Sequence, residues 1–240
     1  MEEIYRQERI ITPGVADAQG LLSVHDTLRL FMDAASVHAT QLGVGVREMG
    51  ERGLFWLTVR TKAVFLRRPG IGERVAFSTW PEPPKGLRAN RSYAVEDERG
   101  ERLISGKTEW AVMDLRTHEL KPAAEVYSRE LRFETPSACP DPFARIQDRF
   151  EPEDVYEEYV VRSTDIDMGG HMNNAAYVRA VLGSFTNEEL RELPLRTLDV
   201  VYRASCYERE HLTLQRRQET DAMLLRVARA GETALLMRMA

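Results

Sequence analysis

The feature that most constrains this chain is an order of predicted elements that occurs twice along its length. A short strand, a long helix and four strands occupy the first half, and after an irregular segment the same order begins again. A helix with one apolar face must bury that face, and a sheet wrapped around it provides the cover. The sequence therefore predicts an α+β fold made of two similar units in tandem.

The helices are predicted from apolar residues at spacings of three and four, the period of a helix that buries one face. The first spans residues 23–45, and Ser23 and Asp26 at its start resemble a capping box. The second spans residues 171 to about 190. The apolar faces consist of Leu28, Phe31, Ala35, Ala39 and Leu42 in the first helix and of Ala175, Val178, Leu182 and Phe185 in the second.

The strands are predicted from runs of β-branched and aromatic residues between turns that contain glycine or proline. In the first half they cover residues 5–11, 55–66, 74–80, 87–96 and 102–115. In the second half they cover residues 155–162, 197–206, 211–218, 223–230 and 233–239. Residues 131–154 are rich in proline and poorly periodic, which indicates a linker between domains at residues 1–130 and 155–240.

Two comparisons within the sequence support the repeat. Gly20 and Gly170 each enter a helix three residues after an aspartate, Asp17 and Asp167. In addition, VFLRRPGIGERV from position 64 matches VYRASCYEREHL from position 201 in hydrophobic pattern. The sequence identity between the two halves is slight. The alternative therefore stays open that they resemble each other only because any two α+β halves look alike at this level.

Composition and charge argue against several classes of protein. Lys and Arg total 33 against 38 Asp and Glu, and the net charge of -5 argues against general binding of nucleic acid. No apolar stretch is long enough for a transmembrane helix or a signal peptide, so we expect no membrane association. Cys139 and Cys206 are too few for a disulfide framework or a metal cluster, which favours a cytoplasmic location and no metal.

The stretch TDIDMGGHMNN, residues 164–174, crowds acidic, glycine, histidine and amide residues at the predicted start of the second helix. Asp167 and His171 lie four residues apart, near enough to face one cavity. Gly169 and Gly170 permit a close backbone approach, and a helix N-terminus can polarise a carbonyl oxygen. The alternative is structural, because Asp, Asn and Gly at such a place often cap helices and form turns.

The segment DIDMGGHMNNAAY, residues 165–177, is similar to the D-x-D-x-x-x-H-x-N-N-x-x-Y signature of hotdog-fold thioesterases. Together with STW at 78–80 and EWAVMDLRT at 109–117, nearly the whole chain resembles the acyl-ACP thioesterase family of plants and bacteria. The resemblance implies two tandem hotdog domains, each a long helix wrapped by an antiparallel sheet. It also implies hydrolysis of fatty acyl-ACP to free fatty acid, with an acyl-chain pocket in the N-terminal domain and catalysis in the C-terminal one.

The family's catalytic residues are carried over position by position. Its Asp corresponds to Asp167 and its His to His171. Its active-site Asn falls at Gly169, and the Glu that precedes a Cys falls at Ser205, ahead of Cys206. The chain therefore lacks two of the family's side chains, a hydrogen-bonding amide and a second carboxylate that could act as a base.

The resulting mechanistic prediction assigns a role to each residue of the stretch. Asp167 acts as base or nucleophile on the thioester, and His171 assists by hydrogen bonding. The backbone amides near Gly169–His171, with Gly169 and Gly170 as the substrate-binding positions, polarise the thioester carbonyl, and Asn173 positions Asp167 or the substrate.

Several alternatives stay open. Cys206 is a rival nucleophile, although a cysteine without a histidine partner is more often a small buried hydrophobe. Gly169 and Ser205 motivate a second function, a hotdog protein that binds acyl-thioesters or fatty acids without hydrolysing them. An acyl-CoA thioesterase would differ only in its carrier. We expect no cofactor, an acyl carrier protein loaded with an acyl chain as the partner, and a monomer or homodimer.

Overall fold

The computed structural model describes residues 3–133, 135–193 and 195–240. The chain divides into two compact units, Met1–Asp141 and Pro142–Ala240, and this boundary lies inside the predicted linker at 131–154. Among the described residues, no helix is both long enough and apolar enough to cross a membrane.

The described residues of the first unit form two α-helices and an antiparallel sheet. Its elements are β1 (Tyr5–Ile10), α1 (Val24–Gln41), α2 (Val46–Glu51), β2 (Leu54–Phe65), β3 (Arg74–Pro81), β4 (Ala89–Asp97), β5 (Arg102–Asp114) and β6 (Leu120–Lys121). The strand order is β1-β3-β4-β5-β2, and β6 pairs with β5. All of these pairings are antiparallel.

The second unit repeats this arrangement. Its elements are β7 (Val155–Val160), α3 (Asn174–Gly183), α4 (Asn187–Glu192), β8 (Thr197–Tyr202), β9 (His211–Gln218), β10 (Met223–Arg229) and β11 (Glu232–Met239). The strand order is β7-β9-β10-β11-β8, again antiparallel. Counted within its own unit, each sheet therefore runs first, third, fourth, fifth, second. The internal repeat predicted from sequence is confirmed at the level of strand pairing.

Helix α1 begins as predicted and ends earlier than predicted. The Ser23 hydroxyl accepts a hydrogen bond from the Asp26 backbone N–H at 3.1 Å and donates one to the Asp26 carboxylate at 2.7 Å. The helix stops at Gln41 rather than near residue 45, because Gly43 adopts a φ of 71° that a helix does not allow.

The predicted extent of the second helix, residues 171 to about 190, is wrong at both ends. Helix α3 begins at Asn174, because the Asn173 side chain caps it by accepting a hydrogen bond from the Ala175 backbone N–H. It ends at Gly183, and a separate helix α4 starts after Thr186, whose hydroxyl accepts a hydrogen bond from the Glu189 backbone N–H.

The core of the first unit lies where α1 crosses the sheet. The Phe31 ring on α1 stacks on the Tyr93 ring of β4 with centroids 4.4 Å apart, and it meets Phe77 of β3 edge-on at 6.5 Å. Gly106 of β5 lies directly beneath, since a Cβ added there would lie 2.4 Å from the Phe31 ring. The absence of a side chain at Gly106 is therefore what lets the helix approach the sheet closely.

The Gly106→Ala variant is expected to lower the free energy of unfolding by about 1–3 kcal/mol, the usual cost of overpacking a core. The added methyl group must displace Phe31, which is packed against Tyr93. Urea denaturation followed by circular dichroism measures the change. Gly50→Ala on α2 is the matched control, because a Cβ there has no atom within 4 Å. A loss in Gly106→Ala no larger than in the control would contradict the packing argument.

Candidate active site

The candidate stretch forms a tight loop just before α3. Ile166 and Met172 face each other in an antiparallel bridge that closes the loop. Inside it, the Asp167 N–H donates to the His171 carbonyl at 2.9 Å, and the Gly170 N–H donates to the Asp167 carbonyl at 3.0 Å. Gly170 has a φ of 76°, in the left-handed region that glycine enters without strain.

Asp167 and His171 are brought together, as predicted from their spacing, on either side of Gly169. A Cβ added at Gly169 would lie 3.1 Å from Oδ1 of Asp167 and 3.4 Å from Nδ1 of His171. Asp167 is exposed, and its Oδ1 accepts a hydrogen bond from the Gly169 N–H at 2.8 Å. Within the described parts of the chain, no Lys or Arg forms an ion pair with this carboxylate. An exposed carboxylate without a cationic partner is a candidate general base.

Of the amides near Gly169–His171 that were predicted to polarise the carbonyl, the two glycine amides are already engaged within the loop. The Gly169 N–H already donates to the Asp167 carboxylate, and the Gly170 N–H to the Asp167 carbonyl. Neither belongs to the first turn of α3, which starts at Asn174. Among the amides of 169–171, only that of His171 has no acceptor in the described residues, so it is the one available to polarise a carbonyl.

Asp165 and Asn173 support the loop from behind. The buried Asp165 carboxylate accepts hydrogen bonds from the Tyr159 hydroxyl at 2.7 Å and from the Arg179 guanidinium. Its carbonyl accepts the Asn173 N–H at 2.8 Å. The Asn173 side-chain oxygen is engaged with the Ala175 N–H at 2.9 Å. The structure therefore assigns Asn173 a helix cap, and its contribution to positioning Asp167 or substrate stays a prediction.

A second segment, residues 203–210, lies beside the loop and is fixed to it. The Met172 N–H donates to the Cys206 carbonyl at 2.8 Å. The Tyr177 hydroxyl on α3 accepts the Cys206 N–H at 2.8 Å and donates to the Ala204 carbonyl at 3.2 Å. The last residue of the sequence signature thus holds this segment against the loop.

The Tyr177→Phe variant is expected to lower the free energy of unfolding by about 1–3 kcal/mol, because the buried Cys206 N–H loses its acceptor. Chemical denaturation of both proteins measures the difference. Tyr207→Phe is the matched control, since Tyr207 is half-exposed and surface changes usually have little effect. Equal stability of Tyr177→Phe and wild type would show that this hydrogen bond is not needed.

Ser205 and Cys206, the two further candidates, differ in accessibility. Cys206 is 0% exposed, and burial raises the pKa of its thiol, so the reactive thiolate is disfavoured. These observations speak against Cys206 as the nucleophile. Ser205 is exposed, and its carbonyl accepts a hydrogen bond from the Arg229 guanidinium at 2.8 Å.

Tyr207 and Arg229 are parts of this surface that sequence reasoning missed. The Tyr207 ring lies against that of His171, with centroids 5.1 Å apart and planes at 58°. Arg229 at the end of β10 also donates to Glu232 at 2.9 Å. Nothing in the signature marks either residue, because both reach the site through contacts between distant segments. No group of three or more His, Cys, Asp or Glu among the described residues is arranged to hold a metal ion.

The first unit contains the same loop with the same backbone hydrogen bonds. The Asp17 N–H donates to the Leu21 carbonyl at 2.8 Å, and the Gly20 N–H donates to the Asp17 carbonyl at 2.9 Å. Gly20 has a φ of 72°. The Leu22 N–H donates to the Pro69 carbonyl at 2.8 Å, as Met172 does to Cys206. The two loops are therefore equivalent position by position.

The side chains around the two aspartates differ. In the first unit, the Arg68 guanidinium forms an ion pair with the Asp17 carboxylate and also donates to the Gln19 side-chain oxygen at 3.3 Å. The equivalent positions in the second unit are Ser205 and Gly169. The same backbone thus carries an ion-paired carboxylate in the first unit and, in the second, a carboxylate that forms no ion pair with the described residues.

The models of two domains match the sequence: the acyl-ACP thioesterase N-terminal domain at residues 2–130 and the acyl-ACP thioesterase C-terminal domain at residues 150–233. The chain is 23% identical over 215 residues to the chloroplastic acyl-[acyl-carrier-protein] hydrolase FATB2 of Cuphea viscosissima, covering 85% of this chain and 52% of the relative. It is 22% identical over 222 residues to oleoyl-acyl carrier protein thioesterase 1 of Arabidopsis thaliana, covering 85% and 61%. The chain thus spans little more than half the length of these relatives.

Two solved structures share the fold over nearly the whole chain. An acyl-ACP thioesterase from Bacteroides thetaiotaomicron has a TM-score of 0.83 at 20% identity, covering 99% of this chain and 97% of the other. The 12:0-ACP thioesterase from Umbellularia californica has a TM-score of 0.85 at 19% identity, covering 100% and 97%. The predicted fold, two tandem hotdog domains, is confirmed.

Proposed function

We propose, because this chain belongs to the acyl-ACP thioesterase family, that it hydrolyses the thioester of a fatty acyl-ACP and releases the free fatty acid. The observation that carries the proposal is the exposed Asp167 carboxylate, which has no cationic partner in the described residues and lies beside His171. In the first unit, Arg68 forms an ion pair with Asp17, the equivalent carboxylate.

In the proposed reaction, Asp167 acts as a general base. Its carboxylate takes a proton from a water molecule as the water oxygen bonds to the thioester carbonyl carbon. The tetrahedral intermediate then loses the carbon–sulfur bond, and the proton on Asp167 passes to the leaving thiolate. The products are the fatty acid and the free thiol of the carrier. Direct attack by the carboxylate is the alternative path, and it proceeds through an anhydride that water hydrolyses.

His171, in the same loop as Asp167, contributes two groups. Its backbone N–H points to no acceptor within the described residues and can donate to the carbonyl oxygen as negative charge develops there. Its imidazole lies near Gly169 and against Tyr207, where it can hydrogen-bond to the substrate or to Asp167. We place both groups in the catalytic machinery.

A second candidate function is binding of acyl-thioesters or fatty acids without turnover. The observation that favours it is the presence of Gly169 and Ser205 where the resemblance implies Asn and Glu. A third candidate, hydrolysis of acyl-CoA, differs only in the carrier. The proposal further places the acyl chain in the N-terminal domain. It assigns the protein to fatty acid biosynthesis in the cytoplasm. We expect it to act as a monomer or homodimer without a cofactor.

Release of free thiol from matched panels of acyl-ACPs and acyl-CoAs separates the three functions. Turnover of acyl-ACP with little turnover of acyl-CoA supports the proposal, and the reverse preference assigns the CoA substrate. Saturable binding of acyl-ACP without thiol release would assign the protein to the binding class. Each measurement uses the full chain, with heat-denatured protein as the blank.

A further inference from the structure

The structural equivalence of the two units indicates open space beside Asp167, which we call the recess. In the first unit, the Arg68 guanidinium lies among three acceptors. These are the Asp17 carboxylate, the Gln19 side-chain oxygen at 3.3 Å and the Leu22 carbonyl at 3.3 Å. The Arg68 and Gln19 side chains therefore touch and together cover the carboxylate. Only 26% of the Asp17 side chain is exposed.

Both covering side chains are shortened in the second unit. Ser205 stands at the position of Arg68 and Gly169 at that of Gln19, while the hydrogen bonds between the loop and the neighbouring segment are kept. Because the two replaced side chains are in contact in the first unit, shortening both removes one continuous volume rather than two separate ones. Consistent with this, Asp167 is exposed where Asp17 is half-buried.

The chemistry of the recess follows from the groups that held the guanidinium. The equivalents of two of its three acceptors persist, namely the Asp167 carboxylate and the Met172 carbonyl. Ser205 is exposed, and Nδ1 of His171 lies 3.4 Å from where a Cβ at Gly169 would stand. The nearby Arg229 guanidinium is already engaged by the Ser205 carbonyl at 2.8 Å and by the Glu232 carboxylate at 2.9 Å. With the His171 N–H assigned to the thioester carbonyl, the Asp167 carboxylate and the Met172 carbonyl make the recess richer in acceptors than in donors, which favours a group that donates hydrogen bonds and disfavours one that only accepts them.

We propose that this recess receives a hydroxyl group carried on the acyl chain close to the thioester, and that 3-hydroxyacyl thioesters are therefore preferred substrates. The inference rests on the proposed function, which places the thioester carbonyl beside Asp167. The oxygen of a hydroxyl on the third carbon stands three bonds from the carbonyl carbon, so it can reach the space next to the same carboxylate. A 3-oxo group in that place can accept hydrogen bonds but cannot donate one. Its partly negative oxygen is repelled by the Asp167 carboxylate.

The test compares dodecanoyl-ACP, 3-hydroxydodecanoyl-ACP and 3-oxododecanoyl-ACP, with a hexadecanoyl set in parallel because chain length is unassigned. We expect kcat/KM for the 3-hydroxyacyl substrate to exceed that for the 3-oxoacyl substrate about tenfold, the effect of one hydrogen bond to a charged acceptor. Equal values for the hydroxylated and the 3-oxo substrates in both sets would overturn the inference and leave water as the occupant of the recess.

Two variants refill the recess by different routes. Gly169→Gln restores the side chain that the first unit has at Gln19, and Ser205→Leu fills the opposite side without adding charge. In each, we expect the ratio of kcat/KM between 3-hydroxyacyl and unsubstituted substrates to fall to about one, whatever the absolute rate. Ser163→Leu, at an exposed serine of the same unit, is the control and should keep the wild-type ratio. A wild-type ratio in both filled variants would overturn the inference.

A binding measurement separates failure of this inference from failure of the proposed function. Calorimetric titration of the amide analogues of the dodecanoyl and 3-hydroxydodecanoyl pantetheine thioesters, which cannot be hydrolysed, reports the recess alone. Tighter binding of the hydroxylated analogue to wild type, lost in Gly169→Gln and in Ser205→Leu, supports the recess even if no thioester is turned over. Equal binding of the two analogues to wild type counts against the recess even if hydrolysis is observed.

Discussion

The Asp167→Asn variant is expected to lower kcat for acyl-ACP hydrolysis by about 10²- to 10⁴-fold, the usual contribution of a general base. The amide oxygen of Asn can still accept the Gly169 N–H that Oδ1 of Asp167 accepts at 2.8 Å, so the loop should keep its shape. An amide cannot take a proton from water, and the loss should therefore fall on the chemical step. Thiol release at saturating acyl-ACP measures kcat, and circular dichroism checks the fold.

Asp17→Asn is the matched control, because Asp17 occupies the same loop in the first unit. It is paired with Arg68 and lies in the unit without His171, so we expect wild-type kcat from this variant. Full activity in folded Asp167→Asn, or an equal loss in both variants, would falsify the assignment of Asp167 as the catalytic carboxylate.

The Ser205→Arg variant is expected to lower hydrolytic activity, because it places an arginine beside Asp167 as the first unit places Arg68 beside Asp17. An arginine at this position should form the ion pair with Asp167 that Arg68 forms with Asp17. A guanidinium beside a carboxylate lowers the pKa of that carboxylate, which makes it a weaker base, and it also fills the space next to the substrate. We therefore expect kcat/KM to fall by about 10- to 100-fold.

The salt dependence of the variant distinguishes charge pairing from simple blockage. Exposed ion pairs weaken at high ionic strength, so added salt should restore part of the activity of Ser205→Arg. Ser205→Gln, which adds a long side chain without charge, should lose less activity and show no salt-dependent recovery. Equal losses in Ser205→Arg and Ser205→Gln, both independent of salt, would contradict an ion pair with Asp167.

Much of the fold could be read from the sequence because its signals are local. The spacing of apolar residues and the turn residues identified α1 and every longer strand to within a few positions, and Ser23 marked the start of α1. Helix α2 and the break between α3 and α4 were missed. Helix α2 has only six residues, and the break depends on caps by Ser184 and Thr186 that a continuous apolar pattern conceals.

The candidate site could be read only in part. The spacing of Asp167 and His171 was enough to predict that they meet, since four residues across a tight loop bring them to opposite sides of Gly169. The sequence predicted that amides near Gly169–His171 polarise the carbonyl, but it could not tell which of them is available, because that depends on which acceptor the folded loop offers each amide. Tyr207 was missed because its contact with His171 spans a large separation in sequence.

The sequence by itself determined the two-fold repeat of α+β units and the residues that carry the family signature. It placed an aspartate and a glycine at the same position before each helix, Asp17 with Gly20 and Asp167 with Gly170. Only the tertiary structure decided which aspartate is available for chemistry. Arg68 lies 51 positions from Asp17, and its ion pair exists because the folded chain brings a separate segment against the loop. The electrostatic interaction of a carboxylate with another charge depends on the distance between them in the folded chain, and local sequence does not encode that distance.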